Sequence, residues 1–321
     1  MLLYVLRRLL QLIPMLLGIT LMAFVIIKLS PGDFLSEMRL NPLVSPETIE
    51  RMRESFGLNQ PLAVQYLRWL WNAVRLDFGY SFAFQVPVVW LIGSRLFNTV
   101  LLNVVGFAVA WALAIPLGIY AARRQYSLGD NALSFAAYLG ISTPTFFSGL
   151  FLLFWAFRTG WLPIGGMTSV DFEFLPWWGK VLDVAHHMVI PVLVVGVFSI
   201  AGLMRQMRAA LLEVLRQDYV RTARAKGLRE PVVVNKHAVR NAVNPIITIF
   251  GFELGGLLGG SAILENVVGW PGLGKLLVDA TLQKDLYVVM AALVFGSIML
   301  VAGNLVADIM LAFADPRVRY D

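Results

Sequence analysis

The residues of this chain that could do chemistry are few, and the most suggestive group is glycine-rich. Gly269 to Leu276 reads GWPGLGKL and fits the phosphate-binding pattern G-x-x-x-x-G-K-[ST] at every position but the last. Such a loop aims backbone N–H groups at phosphates, places Lys on the terminal phosphate and uses a Ser or Thr hydroxyl to hold magnesium. Leu276 stands where that hydroxyl belongs. No hydrophobic parallel strand leads into the glycines, so the stretch is expected to be a rigid turn and not a nucleotide site.

Acids inside apolar segments are the next candidates, because an Asp or Glu at a bilayer centre costs about 2.5–3.5 kcal/mol on insertion scales. Glu253, in GFELGGLLGG, could meet a cationic group of a solute or partner, or make a structural contact to a paired chain. Asp308 and Asn304 lie one helical turn apart, where water or Arg317 would satisfy them. His186 and His187 are adjacent and cannot form the i, i+4 pair of a helical zinc site, so no metal ligand set is expected. There are no cysteines, which excludes disulfides and thiolate chemistry. No Ser-His pair or paired aspartates stand where an intramembrane hydrolase would need them.

The elements that must position these residues are helices in lipid. Of 321 residues 58% are hydrophobic and 14% charged, against about 25% charged in a soluble domain. Six segments are long and apolar enough to span a bilayer: 9–29, 99–121, 132–156, 187–204, 245–264 and 287–311. The first is too long for a signal-peptide core and lacks a cleavage site, so it reads as a retained helix. The fold class is all-α, a polytopic membrane protein with about six transmembrane helices.

Lys and Arg distribute unequally between the loops. With the amino terminus in the cytoplasm, Arg7, Arg8, Arg123, Arg124, Arg317 and Arg319 fall inside, as does the basic loop 205–244. The short loops on the opposite face hold only Arg158, Lys180, Lys275 and Lys284, and the region between the first two spans is long enough that its own arginines count little, so both termini are expected to be cytoplasmic. The net charge of +6 is then a topology signal and implies no nucleic-acid partner. The chain is expected to divide into 1–96, a first span plus an extracytoplasmic helical region, and 97–321, a multi-span transmembrane domain with the cytoplasmic loop 205–244. In the outer region Ser45 caps a helix begun by Pro46, with Ile49, Met52 and Phe56 on one face and Gly57 at its end. A second helix begins at Pro61, with a stripe of Tyr66, Trp69, Leu70 and Val74 that suits either the outer leaflet or packing on the spans.

The basic loop carries the most information. Asp218 to Pro245 reads DYVRTARAKGLREPVVVNKHAVRNAVNP: a short helix, a glycine, then a helix returning to the bilayer. Asp218 offers an N-cap, Tyr219, Thr222, Ala223 and Lys226 share a face, and Gly227 supplies a left-handed terminator. On charge alone the loop could be a solvated basic segment or an anionic-lipid patch.

The order of residues resembles the EAA loop of ABC importer permeases, in the form found in the dipeptide, oligopeptide and nickel permease family. Arg221, Thr222 and Ala223 stand where the general pattern has Glu-Ala-Ala, Gly227 matches its glycine, and Arg240 replaces the late proline. The segment YVRTARAKGL follows the peptide-type version. GGLLGGSAILENVVGWPGLGKLL from Gly255, the SxP in the third span with GWLPIGG after it, and DPRVR at Asp315 are similar to the same family. The resemblance runs from about Phe97 to the carboxyl terminus, and the preceding residues resemble the extension of one of the family's two permease types.

The resemblance implies a type I ABC importer permease fold in the inner membrane and a transport role, not an enzyme. It implies import of di- or oligopeptides, with nickel complexes or glutathione-like solutes as alternatives. The implied partners are a second homologous permease, two ABC ATPases that hold ATP and magnesium, and an extracytoplasmic solute-binding protein. No cofactor is expected on this chain. Asp218, Tyr219, Arg221, Thr222, Ala223, Ala225, Lys226, Gly227 and Leu228 would form the helix that couples to the ATPases. Glu253, Asn103, Gly255 and Gly259 are candidates for the solute path or permease interface; the spacing of Gly255 with Gly259 and of Gly256 with Gly260 permits close helix contact. The rival reading is a self-sufficient channel or ion-coupled transporter with Glu253 and Asp308 along its path.

Overall fold

A computed structural model describes residues 2–30, 32, 34, 35, 45–247, 249 and 262–314. Helices dominate, and among the described residues the only β pairing is an isolated bridge between Tyr80 and Pro87. Helix α1 covers Leu2–Leu29, α2 Pro46–Ser55, α3 Leu62–Val74, α4 Val88–Arg123, α5 Leu128–Ser142 and α6 Thr145–Thr159. The long α7 covers Trp177–Val214, α8 Asp218–Ala225, and α9 the helical stretch 230–242. After residue 261 come α10 Ala262–Val267, α11 Leu273–Leu282 and α12 Leu286–Ala314.

Among the described residues four stretches are long and apolar enough to cross a membrane: Leu6–Leu29, Val88–Arg123, Trp177–Gly196 and Leu286–Val306. The expected span 132–156 is not one straight helix. Helices α5 and α6 bend by 104° at Thr143 and Pro144. Proline disfavours helical geometry in the residue before it, and Thr143 is accordingly extended at φ −92°, ψ 122°. Most of the expected span 245–264 lies outside the described residues.

Packing fixes which ends meet. Helices α1 and α12 run antiparallel, with Arg8 paired to Asp308 at 3.3 Å at one end and Ile27 and Lys28 beside Leu286 and Tyr287 at the other. Helices α4 and α7 run parallel: Gly106 lies against Val195, and Gly118 against Met204 and Met207. At Gly118 the approach is close enough that a Cβ would stand 2.8 Å from the Met204 carbonyl oxygen. This is the small-residue contact by which helices pack in lipid, where apolar burial supplies little drive. Val88, Leu91 and Ile92 at the start of α4 share a core with Leu286 to Ala292 at the start of α12. The start of α1 and the ends of α4, α7 and α12 therefore gather at one end of the bundle.

The first helix described between α1 and α4 is built as its sequence suggests. Ser45 Oγ accepts from the Thr48 N–H, Pro46 opens α2, Ile49 is buried, and Gly57 takes φ +66°. Helix α3 puts Tyr66, Trp69 and Leu70 into the core with Phe24 and Phe78. Val74 leaves that stripe and is 72% exposed, so the packing face is narrower than the periodicity implied.

Candidate coupling site

At 38 residues α7 is about 57 Å long, well beyond the roughly 30 Å of a hydrocarbon core. Its last turns stay packed through the buried Met207 and Leu211 and carry α8. The cap of α8 is Gln217, with extended φ −70° and ψ 149°, and Asp218 is the first helical residue instead of the expected N-cap. Asp218 still complements the positive helix end from the first turn, and its carboxylate lies 3.5 Å from Arg221.

Two residues root this helix. Val220 and Ala223 are buried in a cluster with Met207, Leu211, Val233 and Ala238. Ala223 therefore faces the bundle and does not join Tyr219, Thr222 and Lys226 on the open face, as their spacing had suggested. Arg221, Ala225 and Leu228 are also exposed. Tyr219 is half-exposed, and its hydroxyl accepts from Asn241 Nδ2 at 2.9 Å, tying α8 to α9.

The carboxyl end of α8 is closed three times. Lys226 N–H donates to the Thr222 carbonyl at 3.0 Å and Gly227 N–H to the Arg224 carbonyl at 2.9 Å. Gly227 then turns the chain at φ +75°, a conformation costing an L-residue about 1–2 kcal/mol. Beyond the turn, Arg224 grips Glu230 with two hydrogen bonds, Nε to Oε2 at 3.1 Å and Nη2 to Oε1 at 2.7 Å. Those charge-assisted bonds hold the Glu230 carboxyl below the usual carboxylate range. Helix α9 contains a π turn over Val233–Val239, with Val233, Val234 and Ala238 inward. Such turns add one residue to the ladder and recur where helices do work.

A second clamp steadies the platform. Asp130, 1% exposed in the first turn of α5, receives both Nε and Nη2 of Arg208 at 2.7 Å. Its carboxylate also accepts from the Tyr126 N–H. Nothing in local sequence spacing marked this pair, which joins positions 78 apart.

The glycine-rich turn lies at the other end of the bundle. Helix α11 starts after Gly272, and its first amides are already occupied by side chains of this protein. Leu273 N–H donates to Thr99 Oγ1 at 2.7 Å, and Lys275 N–H donates to Glu265 Oε2 at 3.0 Å. Thr99 in turn donates to Glu265 Oε1 at 2.8 Å, and Lys275 Nζ pairs with Asp279. Glu265 is fully buried, and a Cβ on Gly272 would fall 2.4 Å from its carboxylate. Trp270 Nε1 donates to the Asn98 carbonyl and Asn98 to the Pro271 carbonyl, fixing the turn against α4.

The other candidates are placed as follows. Asn103 is buried within α4. Glu253, Gly255, Gly256, Gly259 and Gly260 lie outside the described residues. Asp308 meets Arg8 of α1, a partner the sequence reading did not name. His186 Nε2 lies 3.1 Å from the Trp161 carbonyl and His187 Nδ1 2.8 Å from the Asp183 carbonyl, so the two rings serve different contacts. Among the described residues no group of three His, Cys, Asp or Glu could hold a metal. Asp285 was also missed: buried at the start of α12, it accepts from Ser81 Oγ at 2.6 Å and the Ala83 N–H at 3.1 Å.

A bundle of membrane helices carrying a short, terminated basic helix at one end defines a class, and comparison with known proteins gives it a family. The family described as binding-protein-dependent transport system inner membrane component matches residues 114–320, and its N-terminal counterpart matches residues 1–103. The chain belongs to that family. Among individual relatives, it is 44% identical to the oligopeptide transport system permease protein AppB of Bacillus subtilis (strain 168), with 99% of each chain covered. It is 41% identical to a putative peptide permease protein of Brucella ovis, again over 99% of both. With the di/tripeptide transport system permease protein DppB of Pseudomonas aeruginosa (strain UCBPP-PA14) the identity is 35%, over 100% of this chain and 99% of the relative.

Proposed function

We propose that this chain is one transmembrane half of an ATP-driven importer of peptides or similar small solutes, and that α8 with its Gly227 turn is where the ATPases act. The observation that carries this reading is the build of α8. It is rooted by Val220 and Ala223, braced by Tyr219–Asn241 and Arg224–Glu230, and open along Arg221, Thr222, Ala225, Lys226 and Leu228. A helix so held transmits a push to α7 and α9 and does not bend away from it. The names of the relatives support peptides as the solute class.

In this reading a second permease of the same family completes the pathway, two ATPases hold ATP and magnesium on the α8 side, and a solute-binding protein delivers from the opposite side. Both termini lie with α8 in the cytoplasm, and this chain holds no nucleotide. The occupation of the α11 amides by Thr99 and Glu265 supports that last point, because a phosphate would have to displace a buried carboxylate. ATP-driven closure of the ATPases moves α8, and the parallel pair α4 and α7 converts the movement into alternating access.

Thr222→Trp tests the proposal, since Thr222 is exposed and the substitution adds bulk to the open face. The variant is expected to reach the membrane at wild-type levels, to lose co-purification with the ATPases and to lose solute uptake. Normal association and uptake would overturn the assignment of α8. Uphill transport by the chain reconstituted alone would favour the self-sufficient transporter instead.

A further inference from the structure

Helix α3 has two faces, and the bundle uses only one. Toward the protein, Tyr66 and Trp69 pack with Phe24 of α1, and Gln65 Nε2 donates to the Leu58 and Gln60 carbonyls. Away from it, Val64, Leu67, Trp71 and Val74 follow one another at spacings of three, four and three, the pattern of a single helical stripe. All four are exposed, Leu67 at 61% and Trp71 at 58%. An apolar stripe of this length in water would be a liability, so its surroundings matter.

The height of α3 along the bundle identifies them. The Tyr66 hydroxyl donates to the Leu17 carbonyl at 3.3 Å and lies 3.0 Å from Thr20 Oγ1, while its ring stands 5.5 Å from that of Phe24. The apolar run of α1 ends at Lys28 and Leu29. At 1.5 Å per residue, Phe24 lies about 6 Å and Thr20 about 12 Å inside that end. Helix α3 is thereby pinned to a membrane-spanning helix below the level at which that helix leaves the hydrocarbon. The same turns of α1 leave Leu21 and Val25 exposed, so open apolar surface flanks the contact. At the far end of the stripe the Arg75 guanidinium sits 4.5 Å from the centre of the Trp71 ring, a cation and an aromatic of the kind that anchor helices at headgroup level.

We infer that α3 is an interfacial membrane helix: its Val64, Leu67, Trp71 and Val74 face lies in the acyl-chain boundary of the leaflet at the carboxyl end of α1. Amphipathic helices in this position bury their apolar face about 5–10 Å deep, which matches the depth set by Phe24 and Thr20. Helix α3 is then a membrane-seated shelf and not part of a water-exposed cap. This inference stands apart from the assignment of α8 and from the solute carried.

The absence of native cysteine makes the test direct. The full chain, carrying a spin label at Leu67→Cys or Trp71→Cys, is placed in lipid nanodiscs. Collision rates are then measured with oxygen, which partitions into acyl chains, and with a water-soluble nickel chelate. Leu21→Cys on α1 gives the lipid reference and Arg51→Cys on α2 the aqueous one. The expected result is an oxygen rate several-fold above the nickel rate at both α3 positions, as at Leu21. Nickel rates exceeding oxygen rates would place the stripe in water, and low rates for both would place it under a protein partner. Either result overturns the inference.

Discussion

Glu265 does for the Gly269 to Leu276 turn what a phosphate does for a nucleotide loop. It brings negative charge to the first amides of a helix, where the helix end is positive and the N–H groups lack partners. Glu265→Gln replaces one acceptor oxygen by an N–H₂ group, so either the Thr99 hydroxyl or the Lys275 N–H loses the carboxylate oxygen it now donates to. A loss of about 1–3 kcal/mol is expected, with the first effect around α10 and α11. Thermal unfolding of the solubilised chain, or hydrogen exchange at Leu273 to Lys275, measures it; an unchanged profile would show that the carboxylate is dispensable. The glycine spacing was legible, and Leu276 in place of a Ser or Thr set it apart from a phosphate loop. The occupant was not legible, because Thr99 lies 166 positions from Glu265 and no local pattern links them. Asp285 and Ser81, 204 positions apart, escaped for the same reason.

Short elements take their orientation from what they pack on, and α8 shows how far periodicity reaches. Its start near Asp218, its length and its termination by a left-handed Gly227 follow from residue types alone. Its inward face does not, since Ala223 lies on the helical circumference between Tyr219 and Val220 and joins Val220 only because α7 and α9 supply a pocket there. Ala223→Asp is consequently expected to bury a carboxylate and loosen α8 itself, where Thr222→Trp leaves it standing. The Arg224–Glu230 bridge has a signed pH dependence. The Glu230 carboxyl is held below its usual range, so the stabilisation is complete above about pH 4.3 and fades as pH falls through the lowered value. Both side chains are about half-exposed, which limits the effect to about 0.2–1 kcal/mol. Hydrogen exchange in the 226–232 turn should be flat in its protection from pH 8 to 5 and weaken only below about 4. The buried Asp130–Arg208 clamp is the stronger device. Asp130→Asn leaves Arg208 without its counter-charge and should cost about 3 kcal/mol, while adding Arg208→Gln should cost much less than a second such step. Additive losses in that double-mutant cycle would count against a direct pair.

At the scale of the molecule, hydropathy located the long helices because a bilayer imposes one length on them, and α1, α4, α7 and α12 lie where the apolar runs predict. It did not anticipate the 104° break at Thr143 and Pro144, since a run of apolar residues reads the same whether straight or folded. The bundle gathers Arg8, Arg123, Arg208 and α8 at one end and the Gly165 to Val268 contact, the α11 turn and Lys284 at the other. That separation converts the asymmetry of Lys and Arg into a claim about sides. Val170, between α6 and α7, is almost wholly exposed, and Leu228, just past Gly227, is 41% exposed. Each can become the only cysteine of the chain. A maleimide that cannot cross membranes should modify Val170→Cys in intact cells and Leu228→Cys only after the membrane is opened. Reaction at Leu228→Cys in intact cells would put α8 outside, beyond the reach of any cytosolic ATPase, and coupling through that helix would be physically impossible.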